Sequence, residues 1–333
     1  MKVNIISESE YFPKGHGVHT AYLNHLAMLE KLGIAVSVNS VVRSDVTHIH
    51  TIGPLGLYKL STSHPTIVTA HVIPKSFLGS IIGAKYWPGI AKEYLKFFYN
   101  RADLILAVSP QVKRELQKIG VTQRIEVFPN VIDKKMFQKS EPLRAEGRKR
   151  LELSSHAFVV LGVGQMQPRK GIEDFVMLAQ RLPEVAFVWV GGRPFKALTA
   201  RSKKMKQMLK SPPKNLRMVK AVPYARMASV YNAADVFFFP SYQENAPMVI
   251  IEAASCGLPL ILRDLPEYRM LYKKGYLTGS KHSEFKKLIQ KLNADTEFYK
   301  KAAQASSDLS KEFSYQRLGE TLLGYYKKLL RET

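Results

Sequence analysis

In the first half of the chain, short apolar runs alternate with segments of helical period. Residues 2–7 read as a strand, and residues 17–32 as a helix with Val18, Tyr22, Leu26 and Leu29 on one stripe. Residues 35–42, 46–50 and 66–70 are further strands; 104–108 and 125–128 follow, with a helix over 111–119 between them. Strand, helix, strand in this rhythm predicts a parallel sheet with helices on both faces. Residues 137–156 break the rhythm. They are polar and basic, with Lys139, Arg144, Arg148, Lys149 and Arg150, and read as a linker holding a short helix. The alternation then restarts, with strands expected over 158–163, 186–190, 216–220, 236–239 and 260–262 and helices over 171–181, 227–232 and 248–256. The last segment, 315–330, has the period of an amphipathic helix and is expected to pack back across the domains.

The fold class is therefore α/β, with two doubly wound Rossmann-like domains facing a cleft. The first domain is expected over 1–140 and the second over 141–312, with a closing helix over 313–333. In such folds the ligand lies outside the carboxyl ends of the strands. A chain of 333 residues is too long for one ordinary core and suits this division. The single cysteine, Cys256, excludes an internal disulfide framework and fits a reducing cytoplasm. Glu8 and Glu10 interrupt the start before a signal-peptide apolar region forms, and no apolar run reaches the roughly 18 residues of a spanning helix.

Charge changes the picture more than composition does. Fifty basic residues stand against 27 acidic ones, a net charge of +23, which predicts an anionic partner: nucleic acid or the acidic face of a membrane. Ten basic side chains and no acid lie between Arg193 and Lys220, among them Arg201, Lys203, Lys204 and Lys206. Between Lys75 and Arg101, aromatic and aliphatic residues such as Trp87, Tyr94 and Phe97 interleave with Lys85, Lys92 and Lys96. Rings with lysines between them suit the headgroup level of a bilayer, so these residues are the membrane-binding candidates. No RNA-recognition, zinc-finger or helix-turn-helix signature accompanies the charge, so no specific nucleic acid is expected.

The segment with the most chemistry is 240–259, which holds Pro240, Ser241, Glu244, Asn245, Ala246, Pro247, Met248 and Glu252. A strand ends, a loop begins, and a helix starts near Pro247, where proline suits a first helical turn. The N–H groups of residues 245 to 248 would then point into the cleft and suit phosphate or sugar hydroxyls. Glu252 lies among Val249, Ile250, Ile251, Ala253 and Ala254 and so faces inward. Eight residues along one helix span about 12 Å. Glycosidase carboxylates stand only roughly 5–9.5 Å apart, so the pair suits two parts of one long ligand.

Three further elements lie at strand ends. Gly162, Gly164, Gln165, Arg169, Lys170 and Gly171 form a glycine-rich loop that opens a helix. Gly15 and Gly17 follow the first strand, where they shape a turn or let backbone approach a ligand. His71 ends the strand that begins at Thr66, while His48 and His50 on the neighbouring strand read as packing or hydrogen-bonding residues. No D-x-D spacing appears, and neither a metal nor a cofactor is expected.

The paired glutamates Glu244 and Glu252, preceded by Pro240 and Ser241 and followed by residues 253–259, resemble glycosyltransferase family 4. The resemblance covers nearly the whole chain and implies a retaining GT-B enzyme that takes a sugar from a nucleotide-sugar donor. It implies that Glu244 contacts the hydroxyls of the transferred sugar and that Glu252 holds the ribose. Asn245 stands where many members have phenylalanine, with the main-chain role kept. Lys170 aligns with the lysine that neutralises the donor diphosphate; Gln165 occupies the usual arginine position, with Arg169 four residues later. Gly17 matches the glycine that lets backbone approach the diphosphate, and His71 the histidine at the acceptor side. Same-face attack, with a leaving phosphate oxygen taking the acceptor proton, is the implied mechanism. The profile is similar to bacterial synthases that make diglycosyldiacylglycerol from monoglycosyldiacylglycerol. The expected partners are thus UDP-glucose or UDP-galactose, a glycolipid acceptor and an anionic membrane, the enzyme sitting peripherally on the inner face. A soluble transferase of the same family, acting on a polysaccharide or small glycoside, is the alternative.

Overall fold

A computed structural model of the chain describes residues 1–11, 17–76, 88–192, 205, 208 and 210–332. It contains two compact units: residues up to Asp133 together with Phe313 onward, and Lys134–Glu312. The first unit is a parallel sheet of β1 (Lys2–Ile6), β2 (Ala35–Val38), β3 (Val46–Ile49), β4 (Thr66–Ala70), β5 (Leu104–Ala107) and β6 (Ile125–Val127). Their order is β2-β1-β3-β4-β5-β6, with α1 (Gly17–Lys31), α2 (Pro54–Thr62), α3 (Pro88–Tyr99) and α4 (Pro110–Lys118) in the connections. Strands β3, β4 and β5 are buried along their whole length, as strands in a sheet covered on both faces should be. Ser109 ends β5 and caps α4 by accepting from Val112 N, with Pro110 in the first turn where its missing N–H costs nothing.

The C-terminal helix (Tyr315–Glu332) returns to this first unit. Leu318, Leu322, Tyr326 and Leu329 join the core with Tyr22, Met28 and Leu29 of α1, and Tyr315 donates to Asn24 Oδ1 at 2.8 Å. Two details differ from the periodicity. The inner stripe of α1 is Ala21, Tyr22, His25, Met28 and Leu29, and Leu26 is only half-buried. Strand β2 stops at Val38 because Asn39 takes a positive φ of 49° and accepts from Ser7 N through its side chain. Residues 39–45 then run back across β1, leaving Val41 89% exposed.

The second unit holds β7 (Val159–Val163), β8 (Ala186–Val190), β9 (Leu216–Val219), β10 (Val236–Phe239), β11 (Leu260–Arg263) and β12 (Leu277–Gly279) in the order β12-β11-β10-β7-β8-β9. Its helices are α5 (Glu141–Arg150), α6 (Ile172–Arg181), α7 (Met227–Asn232), α8 (Met248–Ser255), α9 (Pro266–Tyr272), α10 (His282–Ala294) and α11 (Thr296–Lys311). Phe175, Phe187, Trp189 and Phe238 fill the core. The expected linker proves to be part of this unit. Arg144 and Arg148 of α5 pair with Asp235 at 2.6 and 2.9 Å, and a Cβ on Gly147 would lie 1.9 Å from Ser229 O. A basic stretch that reads as solvated is thus anchored by one acid far along the chain.

Candidate active site

In the second sheet the strand order reverses between β7 and β10, and the loops leaving those two strands lie side by side. Open α/β sheets bind ligands at such a reversal, beyond the carboxyl ends of the strands. After β7, residues Pro168–Lys170 form one 3-10 turn and Gly171 enters α6 with a φ of +71°. A Cβ on Gly171 would lie 2.2 Å from Pro240 O, so only glycine lets the two loops approach this closely. Gly171→Ala is therefore expected to cost about 2 kcal/mol or more, read as a lower denaturant midpoint at unchanged slope. An unaltered midpoint would show that the loops are not held together here.

This approach brings the charged groups together. Glu244 is 8% exposed; Lys170 Nζ lies 2.5 Å from its Oε1, Ser241 Oγ donates to the same oxygen at 2.6 Å, and Arg169 Nη1 stands 3.6 Å away. Arg169 also donates to Gln243 O, and its carbonyl accepts from Tyr242 N and lies 3.0 Å from Ser241 Oγ. Burial opposes charge on both members of the pair. For Glu244 the attraction of Lys170 and Arg169 outweighs it and holds the carboxyl below its ordinary range. For Lys170 burial outweighs Glu244 and lowers the ammonium to about 8. Both groups are thus charged at neutral pH, beyond the carboxyl ends of the central strands, with a second cation beside them.

Glu252 lies on α8, 2% exposed. Tyr231 donates to its Oε2 at 2.6 Å, while Oε1 is buried with no hydrogen-bond partner among the described residues. Burial pushes the carboxyl up to about 7, against the hydroxyls of Tyr231 and Tyr224. An orphaned buried carboxylate oxygen is costly unless a ligand donor meets it. The helix itself differs from expectation. Pro247 is its N-cap and Met248 its first residue, so Glu244 precedes the helix and the 12 Å spacing along one helix does not apply. Pro247 has no N–H, so the helix start offers no amide at that position.

The loop carrying Glu244 is braced from behind by residues the sequence reading passed over. Arg263 donates to Pro240 O at 2.9 Å, stacks 3.8 Å from the Tyr242 ring, and pairs with Asp174 at 2.7 Å; His282 meets the other oxygen of Asp174 at 2.7 Å. Ser241 lies three residues before Glu244 and Tyr231 lies 21 residues before Glu252, with nothing in the sequence to mark either as a partner of the two glutamates.

In the first unit, His71 follows β4 and is half-buried, with its Nε2 3.2 Å from His50 Nδ1. Behind it lie His25, His48 and His50, all buried, their ring centroids 4.6–4.8 Å apart. Their closest ligand atoms fall within 4.8 Å of one another, the spacing of a possible metal group, yet both ring nitrogens of His48 are already engaged, by Tyr326 and Thr69. His25 escaped notice because the apparent stripe of α1 ran through Leu26. Gly17 begins α1, and a Cβ there would meet nothing within 4 Å, so packing does not demand glycine at this position.

Of the membrane-binding candidates, Lys92 is exposed and Lys96 half-buried on α3; Lys85, Trp87, Arg201, Lys203, Lys204 and Lys206 lie outside the described residues. Helix α3 buries Leu95, Phe98 and Tyr99 inward and exposes Ile90, Tyr94 and Phe97, an outer apolar stripe at positions i, i+4 and i+7. No helix among the described residues is long and apolar enough to cross a membrane.

Comparison with known proteins agrees with this geometry. The family described as Glycosyl transferases group 1 matches residues 144–308, and Glycosyltransferase Family 4 matches residues 11–135. The alpha-galactosylglucosyldiacylglycerol synthase of Streptococcus pneumoniae is 34% identical over 98% of this chain and 90% of its own length. The processive diacylglycerol alpha-glucosyltransferase of Acholeplasma laidlawii is 30% identical over 99% of both. Among solved structures, sucrose-phosphate synthase from Thermosynechococcus elongatus superposes with a TM-score of 0.80 at 17% identity, covering 100% of both chains. Anabaena HepE, solved with UDP and glucose, gives 0.77 at 16%, covering 98% of this chain and 100% of its own. With two parallel sheets of six strands and full-length relatives of this kind, the chain belongs to glycosyltransferase family 4 and is a hexosyltransferase of the GT-B fold.

Proposed function

We propose that the enzyme transfers glucose or galactose, with retention, from a UDP-sugar to a membrane glycolipid of the monoglycosyldiacylglycerol class. The observation that carries the donor half is the pair of buried glutamates beyond the carboxyl ends of the central strands of the second sheet, one ion-paired with Lys170 and one with an oxygen that has no partner among the described residues. Glu252 accepts from the ribose hydroxyls. The amides of Asn245, Ala246 and Met248 and the side chains of Lys170 and Arg169 meet the diphosphate, so that no metal ion is needed in the scheme. Glu244 accepts from the sugar hydroxyls. The bond from the anomeric carbon to the phosphate oxygen breaks, the acceptor oxygen bonds to that carbon on the same face, and its proton passes to the leaving phosphate. Cations placed where that charge develops lower the barrier. Gly17 leaves open space for the diphosphate to approach the backbone, and His71 orients the acceptor-side hydroxyls.

The lipid half rests on the named substrates of the two full-length relatives and on surface chemistry. Every large apolar side chain exposed among the described residues, apart from Tyr242, belongs to the first unit. The chain as a whole carries a net charge of +23, and the first unit would rest on the acidic inner face of the cell membrane, each nearby lysine or arginine adding about 1 kcal/mol.

One consequence concerns pH. A carboxyl near 7 is only partly ionised in the free enzyme, and the ribose hydroxyls need the ionised form. UDP affinity is expected to tighten about tenfold from pH 6 to pH 8, with a smaller change in Glu252→Gln, measured by titration calorimetry. An equal pH response in both proteins would remove Glu252 from the ribose role. The reading as a whole is tested by incubating radiolabelled UDP-glucose and UDP-galactose with anionic vesicles holding monoglycosyldiacylglycerol, and separately with soluble sugars. Label in a diglycosyl lipid supports it. Transfer to soluble sugars alone favours the polysaccharide alternative.

A further inference from the structure

We propose that His50 is a positioning residue for the transfer: its hydrogen bond to His71 fixes the orientation in which His71 meets the sugar hydroxyls and ties the tautomer of His71 to its own. This rests on the reading of His71 as an acceptor-side group. His50 Nδ1 lies 3.2 Å from His71 Nε2, with the two rings 30° from parallel. His50 itself is clamped. His48 stacks on it with centroids 4.8 Å apart, and His25 meets it edge-on at the same distance and an angle of 86°. His48 is fixed in turn, since Tyr326 and Thr69 hold its two ring nitrogens at 2.7 Å each. The backbone N–H of His50 donates to Ile6 O at 2.8 Å. A rigid column of rings therefore ends on His71.

A neutral imidazole has one N–H and one lone pair, so the bond has two settings. When His50 Nδ1 donates, His71 carries its own proton on Nδ1 and is a donor there. When His71 Nε2 donates instead, its Nδ1 is an acceptor. Burial, and then repulsion from neighbouring histidines, keeps His25, His48 and His50 in the neutral form, so His50 meets His71 as a neutral imidazole. A histidine with this bond presents one defined edge to a hydroxyl; without it that anchor on the ring is lost.

The test separates this from a packing role. His50→Leu, which fills the space without the bond, is expected to lower kcat by about 10- to 100-fold with KM for donor and lipid little changed. His50→Asn places an amide where Nδ1 was and should keep kcat within about threefold, even though it leaves a gap and melts lower. A packing role predicts the reverse, with activity following the melting temperature. His50→Gln sets its amide at the Nε2 position, too far along to reach His71, and serves as the second disabling variant should Leu not fold. In a His71→Ala background, His50→Leu should have no further effect. If His71→Ala turns over like the wild type, the reading of His71 itself fails. If His71→Ala is impaired while His50→Leu and His50→Gln keep the wild-type kcat, this inference alone is overturned.

Discussion

Glu244→Gln is expected to lower kcat by about 10²–10³-fold, or roughly 3–4 kcal/mol, and to shift the alkaline limb of the pH–rate profile to lower pH. Two losses combine. The amide no longer offers a charged acceptor to the sugar hydroxyls, and it removes the negative charge 2.5 Å from Lys170. That charge opposes the effect of burial on the lysine, whose ammonium already titrates at about 8. In the wild type the rate should fall as pH rises through 8 and the cation beside the diphosphate disappears. Without Glu244 the lysine is lowered further and the fall begins earlier. Steady-state rates between pH 6 and 9.5 read both effects. A variant with wild-type turnover would exclude Glu244 from the reaction, and an unmoved limb would show that Lys170 does not depend on it.

The first unit is expected to open in mild acid. Burial, and then the charge of His71, lowers His25 to about 3, and burial with neighbouring histidines holds His48 and His50 well below 6.5. In the unfolded chain each titrates near 6.5, so below that pH the unfolded state takes up protons that the native unit refuses. Stability therefore falls as pH drops from 6.5, by about 1.4 kcal/mol per pH unit for each ring. With three rings refusing protons together, the loss in mild acid is steep enough to compete with the stability of a small domain. In the second unit Glu252 acts in the opposite sense. Its carboxyl is raised to about 7, so the penalty for its charge is present above that pH and vanishes as pH falls toward 4.5. Hydrogen exchange at pH 7.5, 6 and 5 should show protection lost first in β3 and α1. His25→Met should flatten the dependence of melting temperature on pH by about a third, one titrating ring of three being gone. A melting temperature constant down to pH 5 would contradict the account.

What was legible in the chain follows from how each residue is buried. Strands such as Leu104–Ala107 and Val236–Phe239 are covered on both faces, so an unbroken apolar run marks them. Leu277–Gly279 is only three residues long and gave no such run. Glu252 stood out because an acid among Val249, Ile250, Ile251, Ala253 and Ala254 has nowhere polar to go on its own helix. Its partner Tyr231, on a different helix, carries no such mark. The bond between Lys170 and Glu244 joins residues 74 positions apart, and only the strand order that sets β7 beside β10 brings them together. Arg144 and Arg148 looked like a solvated run because Asp235, which buries them, lies about 90 residues on. The histidine column was hidden for a related reason: β3 offers two of its rings, α1 the third, and only the packing of α1 on the sheet brings the third to the others.

The central claim is that two acids address two ends of one sugar nucleotide, and ligand binding tests it without any need for the acceptor. UDP and UDP-glucose are titrated into the wild type, Glu252→Gln and Glu244→Gln. Glu252→Gln should lose affinity for both ligands by the same factor. Glu244→Gln should lose more affinity for UDP-glucose than for UDP, the sugar's contribution going in addition to any weakening through Lys170. Equal losses for UDP and UDP-glucose in Glu244→Gln, or wild-type binding of UDP-glucose by that variant, would contradict it.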